Sequence, residues 1–315
     1  MNPPIGPLPA AAMAAAAAGE LVGRRSDIEL LAAALAAGRN VLLEGPPGTG
    51  KTTLLRALAR GAGVGLVLVE GNAELTPSRL VGHHDPARVL TDGYRPDTFV
   101  AGPLIEAMRD GCLLYVEELN RVPEESLNVL LGVLSERSVH VARFGEVAAE
   151  PTFRLVAAMN PFDAVGTGRI TPALYDRTCR IAVGYQSAAE EREVVERRTA
   201  GASPLVGRAV DAVRRTREHP DLRIGSSVRG AIDIVAVAGE LAALRGVRLA
   251  EAGRDAAVAS LSGRVTRREG VARPVEAIVA EIWDATESFD EADPQEGKAP
   301  GPGRPRGDRA GGLSS

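Results

Sequence analysis

The chain has 315 residues, of which 45% are hydrophobic and 25% charged, as in a soluble globular protein large enough for two domains and a buried core. A formal net charge of −4 and an aromatic content of 3% argue against a surface built to attract nucleic acid or an acidic membrane. The two cysteines, Cys112 and Cys179, exclude a disulfide framework or a cysteine metal cluster and suit a reducing cytoplasm.

Residues 1–18 form a Pro/Ala run with no basic region, so no signal peptide is expected and the segment reads as a disordered or weakly helical leader. No run of about 18 apolar residues occurs outside that tract, so no membrane span is expected. From residue 19 to 186 helical and strand signals alternate, the pattern of an α/β core with a mainly parallel sheet. Strand candidates fall at Asn40–Glu44, 65–70, 112–117, 153–160 and 179–183. Beyond residue 187 strand signals stop, and 187–200, 204–218, 227–245, 250–263 and 271–285 read as helices, predicting an all-helical lid domain over 187–287. Residues 288–315 are rich in Asp and Glu and then in Gly, Pro and Arg, and are expected to be disordered.

The most informative stretch is Gly45-Pro46-Pro47-Gly48-Thr49-Gly50-Lys51-Thr52, followed by Thr53. An apolar strand, 41–43, leads into it, and a helix over 52–62 leads out with Leu54, Leu55, Leu58 and Ala59 on one face. Strand, Gly-rich loop and helix make a P-loop, in which backbone N–H groups converge on phosphate oxygens at a helix N-terminus. Lys51 is expected at the β- and γ-phosphates and Thr52 on Mg²⁺, which makes ATP and Mg²⁺ the implied cofactors. Lysine occurs in this chain only at positions 51 and 298, while arginine supplies nearly all other positive charge. A compact point charge is thus kept where a phosphate contact wants one.

The strand over 112–117 ends in paired carboxylates, Glu117 and Glu118. In a P-loop fold the first holds Mg²⁺ and the second orients and deprotonates the attacking water. Period-two alternation would send the two side chains to different sides of the strand. Glu117 stands where Asp is usual and is one methylene longer.

Further motifs follow in a set order: Glu20-Leu-Val-Gly23-Arg24 before the P-loop, Asn160 after the strand that starts at Phe153, Thr171-Pro-Ala-Leu-Tyr-Asp176-Arg177, and Gly225-Ser-Ser-Val-Arg229. With Leu75-Thr-Pro-Ser-Arg-Leu-Val-Gly82, Gly102-Pro-Leu-Ile and Glu118-Leu-Asn-Arg-Val-Pro, they resemble the AAA+ ATPases, and within them the MoxR type, close to the ATPase subunit of magnesium chelatase. The resemblance covers residues 20–285 and implies roles for three further residues. Asn160 corresponds to sensor 1, beside the γ-phosphate, although Asn before Pro is also a common turn. Arg177 corresponds to an arginine finger presented to a neighbouring subunit's nucleotide, with Arg169 and Arg180 as nearby alternatives. Arg229 corresponds to sensor 2, the lid contact to the γ-phosphate.

Turn signals predict a hairpin insert over 83–103 and a second hairpin over 138–151 around Phe144-Gly145. His83 and His84 have no third ligand at motif spacing and read as an exposed loop pair. The resemblance implies an ATP-hydrolysing ring, a hexamer, that remodels or activates a partner protein in chaperone-like fashion, with a von Willebrand factor A-domain protein as partner and metal insertion as one outcome. A nucleic-acid-acting AAA+ ATPase is the alternative, on the basic clusters Arg214, Arg215, Arg217 and 264–268, and a small-molecule P-loop kinase is the third.

Overall fold

The structure is a computed structural model that describes residues 5–160, 171–199 and 203–286. Arg169 and the C-terminal tail, 288–315, lie outside the described residues.

The chain enters through α1 (Ala10–Glu20) and α2 (Arg25–Ala36), then lays down β1 (Asn40–Glu44), α3 (Lys51–Ala62) and β2 (Leu66–Glu70). A first insert follows: α4 (Pro77–Val81), β3 (Gly82–His84), α5 (Pro86–Asp92), β4 (Phe99–Ala101) and α6 (Pro103–Asp110). Next come β5 (Leu113–Glu117), α7 (Glu124–Glu136), the hairpin strands β6 (Ser138–Val141) and β7 (Gly145–Ala148), β8 (Arg154–Met159), α8 (Pro172–Asp176) and β9 (Thr178–Ala182). The C-terminal region holds α9 (Ala188–Arg198), α10 (Leu205–Glu218), β10 (Leu222–Ile224), α11 (Val228–Arg245), α12 (Leu249–Leu261), β11 (Thr266–Arg267) and α13 (Val275–Asp284).

A five-stranded sheet in the order β2-β5-β8-β1-β9 forms the core, and every pairing in it is parallel. Its inner strands are buried on both faces, which is why they read as continuous apolar runs. One face packs on α1, α2 and α3 through Ile28, Leu31, Leu54 and Leu58. The opposite face is covered from α4, α6 and α7 through Leu80, Leu104, Met108 and Leu130. The C-terminal helices have their own core around Val210, Ile234, Ala256 and Trp283. Parallel order places all strand C-termini on one edge, where α/β sheets bind ligands.

Three expectations need correction. The leader, expected to be disordered or weakly helical, is helical and packed where it is described: α1 lies on α3 with Met13 and Ala17 fully buried. The contact is close, because a Cβ added to Gly61 of α3 would lie 2.6 Å from the Ala12 carbonyl oxygen and 2.7 Å from Met13 Cα. Alanine is the best helix former, and a helix of small side chains can approach closely without leaving a hydrophobic period to read. The chain ahead of α1 is tied down by Arg154, a fully buried cation that donates to the carbonyls of Gly6 (2.5 Å), Leu35 (3.1 Å) and Pro151 (2.7 Å). Burial pushes the Arg154 guanidinium down to about 10.

Secondly, the helical region is not free of strands, since β10 and β11 pair antiparallel. Thirdly, His84 is not an exposed loop residue. It lies on β3, its Nδ1 3.1 Å from Thr98 Oγ1, its ring edge-on to Tyr94 and Phe99 at 5.1 and 5.4 Å. Both expected hairpins are present as β3–β4 and β6–β7, and Phe99 stacks on Phe144 at 4.6 Å to join them. Among the described residues no cluster of His, Cys, Asp or Glu could hold a metal by itself, and no helix is long and apolar enough to cross a membrane.

Candidate nucleotide-binding site

The strand-to-helix turn after β1 stands at the C-terminal edge of the sheet. Gly48 and Gly50 have φ of +74° and +84°, so the loop uses left-handed turns that side chains resist. Gly48 also has no room for a Cβ, because Ser227 from the start of α11 lies against it. Lys51 opens α3 and is 8% exposed; its Nζ donates to the carbonyls of Gly45 and Pro46, both at 2.9 Å. Desolvation lowers its pKa, while the charges of Glu117 and Glu118 oppose that shift. Among the described residues the ammonium therefore sits in a loop of main-chain dipoles with no carboxylate hydrogen-bonded to it, a setting that fits a phosphate anion.

Thr52 Oγ1 donates to Glu117 Oε1 at 3.4 Å, across from the end of β5. A hydroxyl facing a carboxylate is a hard-oxygen donor set that fits Mg²⁺. Tyr115, fully buried on β5, lies beside both groups, and burial followed by the Glu117 charge pushes its phenol up. Nothing in the sequence distinguishes Tyr115 from any other apolar-strand residue.

Glu118 departs from the alternation expected of it. β5 ends at Glu117, and Glu118 takes a left-handed backbone, φ 53° and ψ 43°, at the start of a short 3₁₀ turn. The two carboxylates diverge because the chain turns between them, and a non-glycine residue at that φ carries strain of the kind found at functional sites. Arg121 Nε lies 3.2 Å from Glu118 Oε2. Asn160 follows β8, the strand between β5 and β1, and so stands between the carboxylates and the P-loop.

Among the described residues, clefts border the loop on its Gly48–Thr53 and its Pro46–Pro47 stretches. The larger, about 600 Å³, is lined by Gly48, Thr49, Gly50 and Thr53 on one wall and by Val228, Arg229 and Ile232 of α11 on another. Leu21, Val22 and Val194 make an apolar end, and Arg24 and Gln186 border it. Arg24 is fixed there by Asp27 (2.9 Å) and the Gly184 carbonyl (2.9 Å), and Gln186 Nε2 donates to the Val22 carbonyl at 2.5 Å. The smaller cleft, about 220 Å³, lies against Pro46, Pro47 and Asn160. Arg229 is thus brought to the P-loop within one chain, together with Lys51, Thr52, Glu117 and Asn160.

Arg177 is not brought there. It precedes β9, whose first residue pairs with Asn40 at the start of β1, so it sits at the opposite edge of the sheet, about 16 Å of strand away from Gly45. Its Nε donates to Ser135 Oγ at 2.7 Å and Nη1 to the Ala173 carbonyl at 2.9 Å, and the side chain is 38% exposed. Arg180 instead pairs with the buried Glu44 at 2.5 Å, and Tyr175 donates to the same carboxylate at 3.0 Å. The apolar end of the large cleft, from Val194 and Ile232 with Leu21 and Val22, comes from distant parts of the chain. Each of these residues reads as ordinary helix or loop in sequence.

Residues 40–178 match the family model of the AAA domain, dynein-related subfamily. The uncharacterized protein YeaC of Bacillus subtilis is 29% identical over 247 residues, covering 69% of this chain and 74% of YeaC. The uncharacterized protein YojN of the same organism is 34% identical over 190 residues, 56% of this chain and 62% of YojN, so the chain spans less than two thirds of YojN. Among solved structures, the RuvB Holliday junction branch migration motor of Thermotoga maritima aligns with a TM-score of 0.51 at 17% identity, over 78% of this chain and 72% of RuvB, a likeness of fold. The chain has the P-loop AAA fold, a mainly parallel five-stranded sheet with helices followed by a helical C-terminal region, and its residues 40–178 are similar to the AAA domain family.

Proposed function

We propose that the protein is an ATP-hydrolysing motor of the MoxR type that works as a ring, a hexamer, in the cytoplasm and remodels or activates a partner protein. The observation that carries this reading is the split of the candidate residues between two edges of one sheet. Lys51, Thr52, Glu117, Glu118, Asn160 and Arg229 gather round the P-loop, while Arg177 is half-exposed a strand's length away. An arginine so placed cannot serve its own chain's nucleotide, but it can serve a neighbour's.

In this reading the base lies at the apolar end of the large cleft, against Leu21, Val22, Val194 and Ile232. The main chain of residues 45–50 cradles the phosphates, and Lys51 Nζ turns from the Gly45 and Pro46 carbonyls to phosphate oxygens. Thr52 and Glu117 would hold Mg²⁺, which would supply charge neutralisation at the phosphates. Glu118 accepts a proton from water, Asn160 orients that water, and Arg229 ties the lid to the γ-phosphate. Arg177 of one subunit stabilises charge developing on the neighbour's γ-phosphoryl, a contribution of about 10³–10⁵ in rate where such a residue acts on GTP.

The aromatic junction of the two hairpins presents Tyr94 and Val100 to solvent and Leu90 beyond them, a surface suited to a protein partner such as a von Willebrand factor A-domain protein. The likeness to RuvB carries the fold alone and does not favour a nucleic-acid substrate. Specific ATPase activity of the full chain, measured across protein concentration with Mg²⁺, tests the reading: it should rise as rings assemble. A rate per chain that is constant with concentration would point to a self-contained site.

A further inference from the structure

The smaller cleft has a lining unlike that of the larger one. Among the described residues its lining contains two guanidinium groups, Arg217 and Arg223, and the Asn160 amide, and no carboxylate. Arg217 is already committed. Its Nη2 donates to Glu191 Oε1 at 2.7 Å, its Nε donates to the Ser226 carbonyl at 2.8 Å, and its plane lies 3.7 Å over the Tyr185 ring. Glu191, 2% exposed, is shared with Arg214 at 3.2 Å, so one buried carboxylate faces two cations and leaves the local balance positive. Arg223, on β10, makes no hydrogen bond or ion pair among the described residues.

The turn from β10 to α11 explains how that cation reaches the P-loop. Ser226 is buried and its N–H donates to Thr216 Oγ1 at 2.8 Å, which pins the turn to α10. Ser227 then seats on Gly48. Arg229, just past this contact, lines the large cleft with Thr49 and Thr53, whereas Arg223, just before it, lines the small cleft with Pro46, Pro47 and Asn160. The turn thus brings one arginine to each of the two clefts that border the phosphate loop.

We propose that Arg223 is a phosphate-binding residue, and that the small cleft receives a tetrahedral phosphoryl oxyanion between its guanidinium and the Asn160 amide. This deepens the nucleotide-binding reading above and rests on it. At about 220 Å³ the cleft is below the ~300–1,000 Å³ of sites that enclose whole small molecules, a size suited to a phosphoryl group. Two convergent guanidinium groups favour an anion, and a guanidinium matches phosphate oxygens in pairs. The group has two sources: the terminal phosphate of a bound triphosphate, or inorganic phosphate after hydrolysis.

Titration calorimetry on the full chain with Mg²⁺ separates them, using wild type, Arg223→Gln, Arg223→Lys and Lys51→Ala. The titrants are ADP, adenylyl imidodiphosphate, and inorganic phosphate added to the ADP-saturated protein. In Arg223→Gln, ADP affinity should stay at the wild-type value. If the terminal phosphate is the ligand, affinity for the triphosphate analogue falls about tenfold, the size of one charge-assisted hydrogen bond, and Arg223→Lys recovers part of it. If released phosphate is the ligand, the analogue binds as before and inorganic phosphate binds about tenfold more weakly. Unchanged binding of both phosphate-bearing titrants in Arg223→Gln overturns the proposal, as does an equal loss for ADP and the analogue, which would mark a damaged lid. Should wild type bind neither nucleotide, the nucleotide reading itself fails and takes this one with it. If wild type binds and Lys51→Ala does not, an inert Arg223→Gln removes the Arg223 assignment alone.

Discussion

Replacing Lys51 by alanine removes a buried cation from the centre of the loop without touching the glycines that shape it. The ammonium is 8% exposed and its two hydrogen-bond acceptors are main-chain carbonyls at 2.9 Å. Each such bond contributes about 1 kcal/mol to the fold, and relief of the desolvation that lowers the Lys51 pKa offsets the loss, so stability should change by no more than about 1 kcal/mol. Binding is a different matter. A phosphate oxygen set against this ammonium makes a charge-assisted bond of about 1.5–3 kcal/mol, which corresponds to a rise in ATP Kd of about 10- to 150-fold. Titration calorimetry on the variant, with a thermal melt to show that it is folded, reads both quantities. A folded Lys51→Ala protein that binds ATP with wild-type affinity would refute the assignment of this loop to phosphate.

Glu118→Gln should leave ATP and Mg²⁺ binding intact and lower turnover by about 10²–10⁴-fold, read in single-turnover hydrolysis; a wild-type rate would move the base elsewhere. Glu117→Gln should raise the Mg²⁺ concentration needed for half-maximal ATP binding, because it weakens the carboxylate opposite Thr52; an unchanged Mg²⁺ titration would count against that pairing. Gly48→Ala combines a φ of +74°, which costs about 1 kcal/mol for a residue with a Cβ, with a collision against Ser227. ATP affinity should fall as the lid is pushed off the loop, and adding Ser227→Gly should restore part of it; no restoration would mean that the contact is not the cause.

Much of the fold was legible because parallel strands buried on both faces must be written as short apolar runs. Asn40–Glu44 is found as expected, and the other core strands lie within a residue or two of their expected ends. The elements that escaped are those with no hydrophobic period or no length. The α1 helix is nearly all alanine, and its burial depends on Gly61 of a distant helix. The paired strands β10 and β11 are three and two residues long, too short for alternation to register.

The candidate site shows the same division. The phosphate loop and the paired carboxylates announce themselves because their chemistry demands particular residues at particular spacing. The left-handed turn at Glu118 depends on how β5 leaves the sheet, and alternation could not foresee it. The apolar lining of the large cleft and the approach of Arg223 to the loop arise only when the C-terminal helices fold back over it. The distance between Arg177 and the P-loop follows from the parallel register of β9 on β1, which no local pattern contains.

The central claim is that one active site is built by two chains, and mixing two inactive variants tests it most directly. Arg177→Ala keeps Lys51, Thr52, Glu118 and Arg229 but offers no arginine to a neighbour, while Glu118→Gln keeps Arg177 but lacks its own base. Each variant alone should bind ATP and hydrolyse it poorly. In mixed rings some interfaces set an intact Glu118 against an intact Arg177, and steady-state ATPase activity should return in part as the ratio approaches equality. Activity that stays at the sum of the two separate variants at every ratio, with both shown to co-assemble, would contradict a site shared between subunits.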